Sequence, residues 1–99
     1  MQVKVHSVQF KADYKLVDFV ESKLAKLQQF HDHIINSEVF LKLEKDEKHE
    51  NKIAEIKVNV PGKEMFAKKQ CSSFEEATDL AIEALRTQIT KFKGKKINH

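Results

Sequence analysis

The sequence predicts an α+β domain with the element order β-α-β-β-β-α, a four-stranded mixed sheet carrying two helices on one face. Three observations predict it. Apolar residues recur with helical period in two long stretches and alternate with period two in four short ones. A helix separates the first two short stretches, as parallel neighbours require. Turn-length segments join the last three, as in an antiparallel meander.

Each element has its own signals. Val3 and Val5 alternate with Gln2, Lys4 and His6 as in a half-buried strand, and the parity changes after Ser7, where the strand should end or bulge. Asp13 can cap the helix that follows, YKLVDFVESKLAKLQQF. Leu16, Val20, Leu24 and Leu27 form its buried stripe, widened by Phe19 and Phe30. SEVFLKLEK sets Val39, Leu41 and Leu43 inward, with Phe40 on the polar side. DEKHEN, residues 46–51, reads as a polar turn. KIAEIKVNV sets Ala54, Ile56, Val58 and Val60 inward, and Pro61-Gly62 is a turn signal. EMFAKKQC is the fourth strand, with Met65 and Ala67 inward and Lys69 anomalous in that register. Ser73 and Glu76 form a capping box for the last helix. Its buried stripe is Phe74, Ala77, Ala81, Leu85, Ile89 and Phe92, and Gly94 is expected to end it. One domain over residues 1–94 and a basic tail over 95–99 are therefore expected.

Composition narrows the function classes. With 99 residues, 33% charged and 40% apolar, the chain suits one soluble core and not a disordered segment. A single cysteine, Cys71, allows no intrachain disulfide and fits a reducing, cytoplasmic setting. The N-terminus lacks the apolar core of a signal peptide, and no stretch approaches the ~18 apolar residues that span a membrane. His31 and His33 have H-x-H spacing, but no further ligand lies nearby in sequence, and both suit a helix end. Cys71, at a strand end, reads as packing. The sequence has no phosphate-binding glycine loop, G-x-S-x-G or H-E-x-x-H, so no catalytic constellation, metal or cofactor is expected.

Charge is the remaining signal. The formal net charge is only +3, yet from Arg86 to the end five Lys or Arg stand without an acid. Lys23 and Lys26 flank the apolar stripe of the first helix. Arg86 and Lys93 share a face of the last, with Lys91, Lys95 and Lys96 nearby. Lysines so placed can simply snorkel to water. The acid-free segment instead favours a polyanion surface that grips phosphates without reading sequence.

KLAKL (23–27), FHDHIIN (30–36), VPG (60–62), F-x-x-A-x-D (74–79) and Q-x-x-K (88–91) occur in that order. With them, the whole chain resembles the short ribosome hibernation-promoting factors and ribosome-associated translation inhibitors of bacteria. The resemblance implies the same fold, similar to a double-stranded-RNA-binding domain. It also implies binding in the decoding region of the small ribosomal subunit, where such proteins silence idle ribosomes by occupancy and without catalysis. Lys23 and Lys26 match the basic pair presented to ribosomal RNA; Gln88, Lys91 and Lys93 fall on polar and basic positions of the family. Ala84, Thr87 and Glu75 depart from it, standing where a lysine, an arginine and a tyrosine are usual. Arg86 lies one place earlier than that arginine, about 100° around the helix. Lys69 replaces a usually small residue and is expected at the sheet edge.

The implied partner is the small subunit and its RNA, with no membrane, no small-molecule substrate and a monomeric free protein. Longer relatives add a dimerising domain, so pairing of ribosomes is expected to need another factor or another mode of contact. Two other readings stay open: a free-standing module for duplex RNA, and a protein-interaction domain using Phe40 and Phe66 on the exposed sheet face.

Overall fold

Six elements follow in the expected order in the computed structural model, which describes residues 2–31, 33–44 and 49–97, with side chains in the last helix described as far as Phe92. They are β1 (Gln2–Val8), α1 (Tyr14–Phe30), β2 (Asn36–Leu43), β3 (Lys52–Val60), β4 (Lys63–Cys71) and α2 (Phe74–Ile97). The sheet order is β1-β2-β3-β4. β1 runs parallel to β2, and both later pairs are antiparallel. The register lines up Val5, Val39, Ile56 and Ala67 in one row across the sheet. These apolar side chains share a face, since alternate residues of a strand point the same way.

Both helices cover that face. Val20, Leu24 and Leu27 of α1 join Ala77, Ala81, Leu85 and Ile89 of α2 in one buried cluster with Val39, Leu41, Ile56, Val58 and Met65. Local chemistry fixes where the helices start. The Leu16 amide donates to the Asp13 carboxylate at 2.9 Å, and the Glu76 amide donates to the Ser73 hydroxyl at 3.1 Å. The Glu76 carboxylate accepts from the Ser72 hydroxyl at 3.4 Å. Gly62 takes φ 82° in the β3–β4 turn, a conformation a Cβ would penalise. The Gln88 side-chain amide donates to the Phe66 carbonyl at 2.9 Å and ties α2 to the edge strand β4.

The structure departs from the expected pattern at several points. Phe30 is 64% exposed rather than buried. It is the last residue of α1, and beyond it His31 and Ile34 fold inward and close that end of the core. α2 continues through Gly94 to Ile97. A glycine inside a helix costs about 0.5–1 kcal/mol relative to alanine, which good helix formers such as Lys95 and Lys96 withstand. Phe92 is only half-buried. β1 extends to Val8 and stops where Gln9 adopts φ 67°. Lys69 keeps the inward parity but lies exposed on the edge strand β4. Ile53 has outward parity and is nevertheless buried, in a row with Val8, Lys42 and Gln70. The chain at Lys45 and at 46–48, part of the expected second strand and polar turn, lies outside the described residues.

The uncovered face is polar, as expected, and several of its groups pair across neighbouring strands. His6 stacks on Phe40 with ring centroids 4.8 Å apart and contacts the Glu38 carboxylate at 2.8 Å. Lys42 donates to Glu55 at 3.0 Å, and the Asn59 amide donates to Asn36 at 2.6 Å.

Two predictions follow from the core. Leu24→Ala should cost about 2–5 kcal/mol in denaturant unfolding, while Leu80→Ala, at an exposed position of α2, should stay within about 0.5 kcal/mol. Cys71 is buried; burial pushes its thiol pKa up from 9.0, Glu76 and Glu50 add to the rise, and Lys69 opposes it. Above the ordinary value the unfolded chain loses its thiol proton while the folded chain keeps it, so stability falls as pH rises through that range. Unfolding curves of Cys71→Ala should lack this alkaline decline, and the native thiol should resist alkylation until denaturant is added.

Candidate nucleic-acid interface

Covering one sheet face with two helices brings their flanks together. Lys23, Lys26, Leu27 and Phe30 on α1 have the spacing i, i+3, i+4, i+7, and Asp79, Ile82, Glu83 and Arg86 on α2 repeat it. These two ridges line a shallow groove of about 290 Å³. Leu27 and Ile82 are buried in it, and the charged side chains stand along its rim.

The expected basic residues divide into three groups. Lys23 is engaged: its Nζ lies 3.1 Å from Asp79 Oδ1 and 5.3 Å from the centre of the Phe19 ring. The acid-rich first half of α2 has thus been laid beside it, which sequence distance concealed. Lys26, Arg86 and Lys91 are exposed, and among the described residues none has an ion-pair partner. The Arg86 guanidinium sits 5.0 Å from the Phe30 ring centre. Lys91 joins Arg86, Glu83, Thr87 and Thr90 around a second, more open recess. Gln88 is spent largely on β4, its amide donating to the Phe66 carbonyl. Lys93, Lys95 and Lys96 lie in the last turns of α2, and their side chains are outside those described.

Two residues escaped sequence reasoning. Phe30 has the period of the buried stripe but ends α1 and is exposed. Lys63 follows the Pro61-Gly62 turn, and its Nζ lies 5.3 Å from the centre of the Phe92 ring on α2. The hairpin thereby adds a cation to the end of α2 that carries Lys91, and no local pattern announces that contact.

Among the described residues no three His, Cys, Asp or Glu side chains gather as metal ligands. His31 is buried at the end of α1, where its backbone N–H donates to the Leu27 and Gln28 carbonyls, and His33 is exposed. No helix among the described residues is long and apolar enough to cross a membrane.

Comparison with known proteins finds a family for the chain. The family model described as sigma 54 modulation protein / S30EA ribosomal protein matches residues 3–97. The ribosome hibernation promoting factor of Klebsiella oxytoca is 37% identical over 82 residues, covering 83% of this chain and 82% of that relative. The protein of the same name from Escherichia coli K12 is 31% identical over 99 residues, covering all of both chains. Among solved structures, the N-terminal domain of Thermus thermophilus Protein Y superposes with a TM-score of 0.79 at 28% identity, covering 93% of this chain and 99% of that one. A ribosomal subunit interface protein from Coxiella burnetii has the same fold, with a TM-score of 0.85 at 24% identity over 95% of this chain and 99% of that one. With a match that spans nearly every residue and relatives aligned end to end, the chain belongs to the sigma 54 modulation protein / S30EA ribosomal protein family, that of the ribosome hibernation promoting factors.

Proposed function

We infer that this protein is a non-enzymatic ribosome hibernation factor of the bacterial cytoplasm. It occupies the decoding region of the small subunit, across the messenger and transfer-RNA sites, and blocks translation by occupancy in slow or stationary growth. Its relatives are named for hibernation, which supports the reading at the level of the ribosome. The observation that carries it to RNA is the set of exposed cations along two adjacent helices: Lys26 on α1, Arg86 and Lys91 on α2.

The charges suit that role. Phosphate contacts position a protein on RNA and release counterions, so binding weakens with salt. Lys23 can join by exchanging Asp79 for a phosphate, because an ion pair at the surface is worth only about 0–1 kcal/mol. Gln88 keeps its side-chain oxygen as an acceptor while its amide holds β4. Lys93, Lys95 and Lys96 extend the basic end, with residues 1–94 as the binding domain and 95–99 as its tail. The partner is the small subunit and its RNA, and the free protein is a monomer that takes no small-molecule substrate.

Cosedimentation with purified small subunits over a range of salt tests this. The logarithm of affinity should fall against the logarithm of salt by about 0.7–0.9 per phosphate neutralised. Lys26→Glu combined with Arg86→Glu should weaken binding and flatten that slope by about two phosphates. Binding that ignores salt and survives both reversals contradicts the proposal. Equal affinity for naked duplex RNA points instead to a module that reads A-form shape.

A further inference from the structure

We propose that the groove between α1 and α2 receives an unpaired nucleobase of ribosomal RNA, stacked on Phe30, with the flanking phosphates held outside by Lys26 and Arg86. This rests on the RNA-binding reading above and adds what the groove itself recognises.

Three observations carry it. Phe30 is 64% exposed, whereas Leu24 and Leu27 on the same helix are fully buried. The Arg86 guanidinium stands 5.0 Å from its ring centre and still leaves most of the residue open to solvent. Aromatic rings and guanidinium planes are the two surfaces on which unpaired bases stack. The third observation is the charge along the groove. Asp79 and Glu83 line it beside Lys23 and Lys26. Two exposed carboxylates on the rim make the groove poor for a phosphate, while a base is uncharged and its amino groups can donate to a carboxylate. Asp79 is engaged with Lys23, and the Glu83 carboxylate has no ion-pair partner among the described residues. The groove, about 290 Å³ with Leu27 and Ile82 buried in its lining, is near the lower size of small-molecule sites.

The outer sheet face is a weaker platform. Its Phe66 is exposed, but Phe40 is stacked on His6, and Lys42 and Lys68 both lie against Glu55.

The chain has no tryptophan, so Phe30→Trp installs a single reporter in the groove. An indole keeps a ring for a base to stack on, so the emission of this variant should be quenched when it binds purified small subunits. Phe30→Leu removes the ring and keeps an apolar side chain at an exposed site. It should leave the thermal midpoint unchanged, weaken binding about 5- to 100-fold, and keep the salt slope of the parent, since no charge is lost. Parental affinity in Phe30→Leu, or unquenched emission from bound Phe30→Trp, overturns the base site. If the parent binds with a steep salt slope and Phe30→Leu does not differ, only the base site falls. If the parent does not bind subunits, both readings fall. Phe30-dependent binding that survives ribonuclease digestion of the subunits points to a protein partner and overturns the proposal.

Discussion

Everything about this molecule depends on covering one face of a four-stranded sheet. The row Val5–Val39–Ile56–Ala67 and its neighbours present a continuous apolar surface that water must leave. One helix is too narrow for a sheet four strands wide, with neighbouring strands about 4.8 Å apart. Two helices lie on it together, and their flanks meet. The groove between α1 and α2 is therefore a consequence of the core. The residues that line it, at i, i+3, i+4 and i+7 on each helix, are set by the same periodicity that buries Leu24, Leu27, Ala81 and Leu85.

That coupling shapes the electrostatics. The basic residues of α1 sit beside acids of α2, so the groove is mixed in sign rather than uniformly positive. Lys23 is paired, whereas Lys26, Arg86 and Lys91 stand exposed. A surface built this way sets cations and carboxylates side by side along one rim. The sheet's outer face behaves differently. There His6 with Glu38, and Lys42 with Glu55, satisfy one another across neighbouring strands. Charge already matched locally has less to give a partner.

Much of the fold was legible in the sequence because local patterns determine it. Period-two alternation located the strands, and the Asp13 and Ser73 caps placed both helix starts. Motif order identified the family. What stayed hidden depends on contacts between distant residues. Lys23 meets Asp79 because two helices pack, and Lys63 reaches Phe92 because a hairpin folds against α2. Phe30 has the period of a buried residue, yet the helix ends there and His31 and Ile34 take the interior positions. Lys69 has the inward parity of Met65 and Ala67, yet it lies exposed on the edge strand β4. Of the site residues, Lys26, Arg86 and Lys91 were legible as exposed cations, while Gln88 gave no hint that its amide would hold β4.

The most direct measurement is a density map of the protein bound to the small ribosomal subunit. The α1/α2 groove should face ribosomal RNA, with Lys26 and Arg86 at phosphates and the sheet's outer face turned away. A map with the outer sheet face, around His6 and Phe66, pressed on RNA and the groove open to solvent would contradict it.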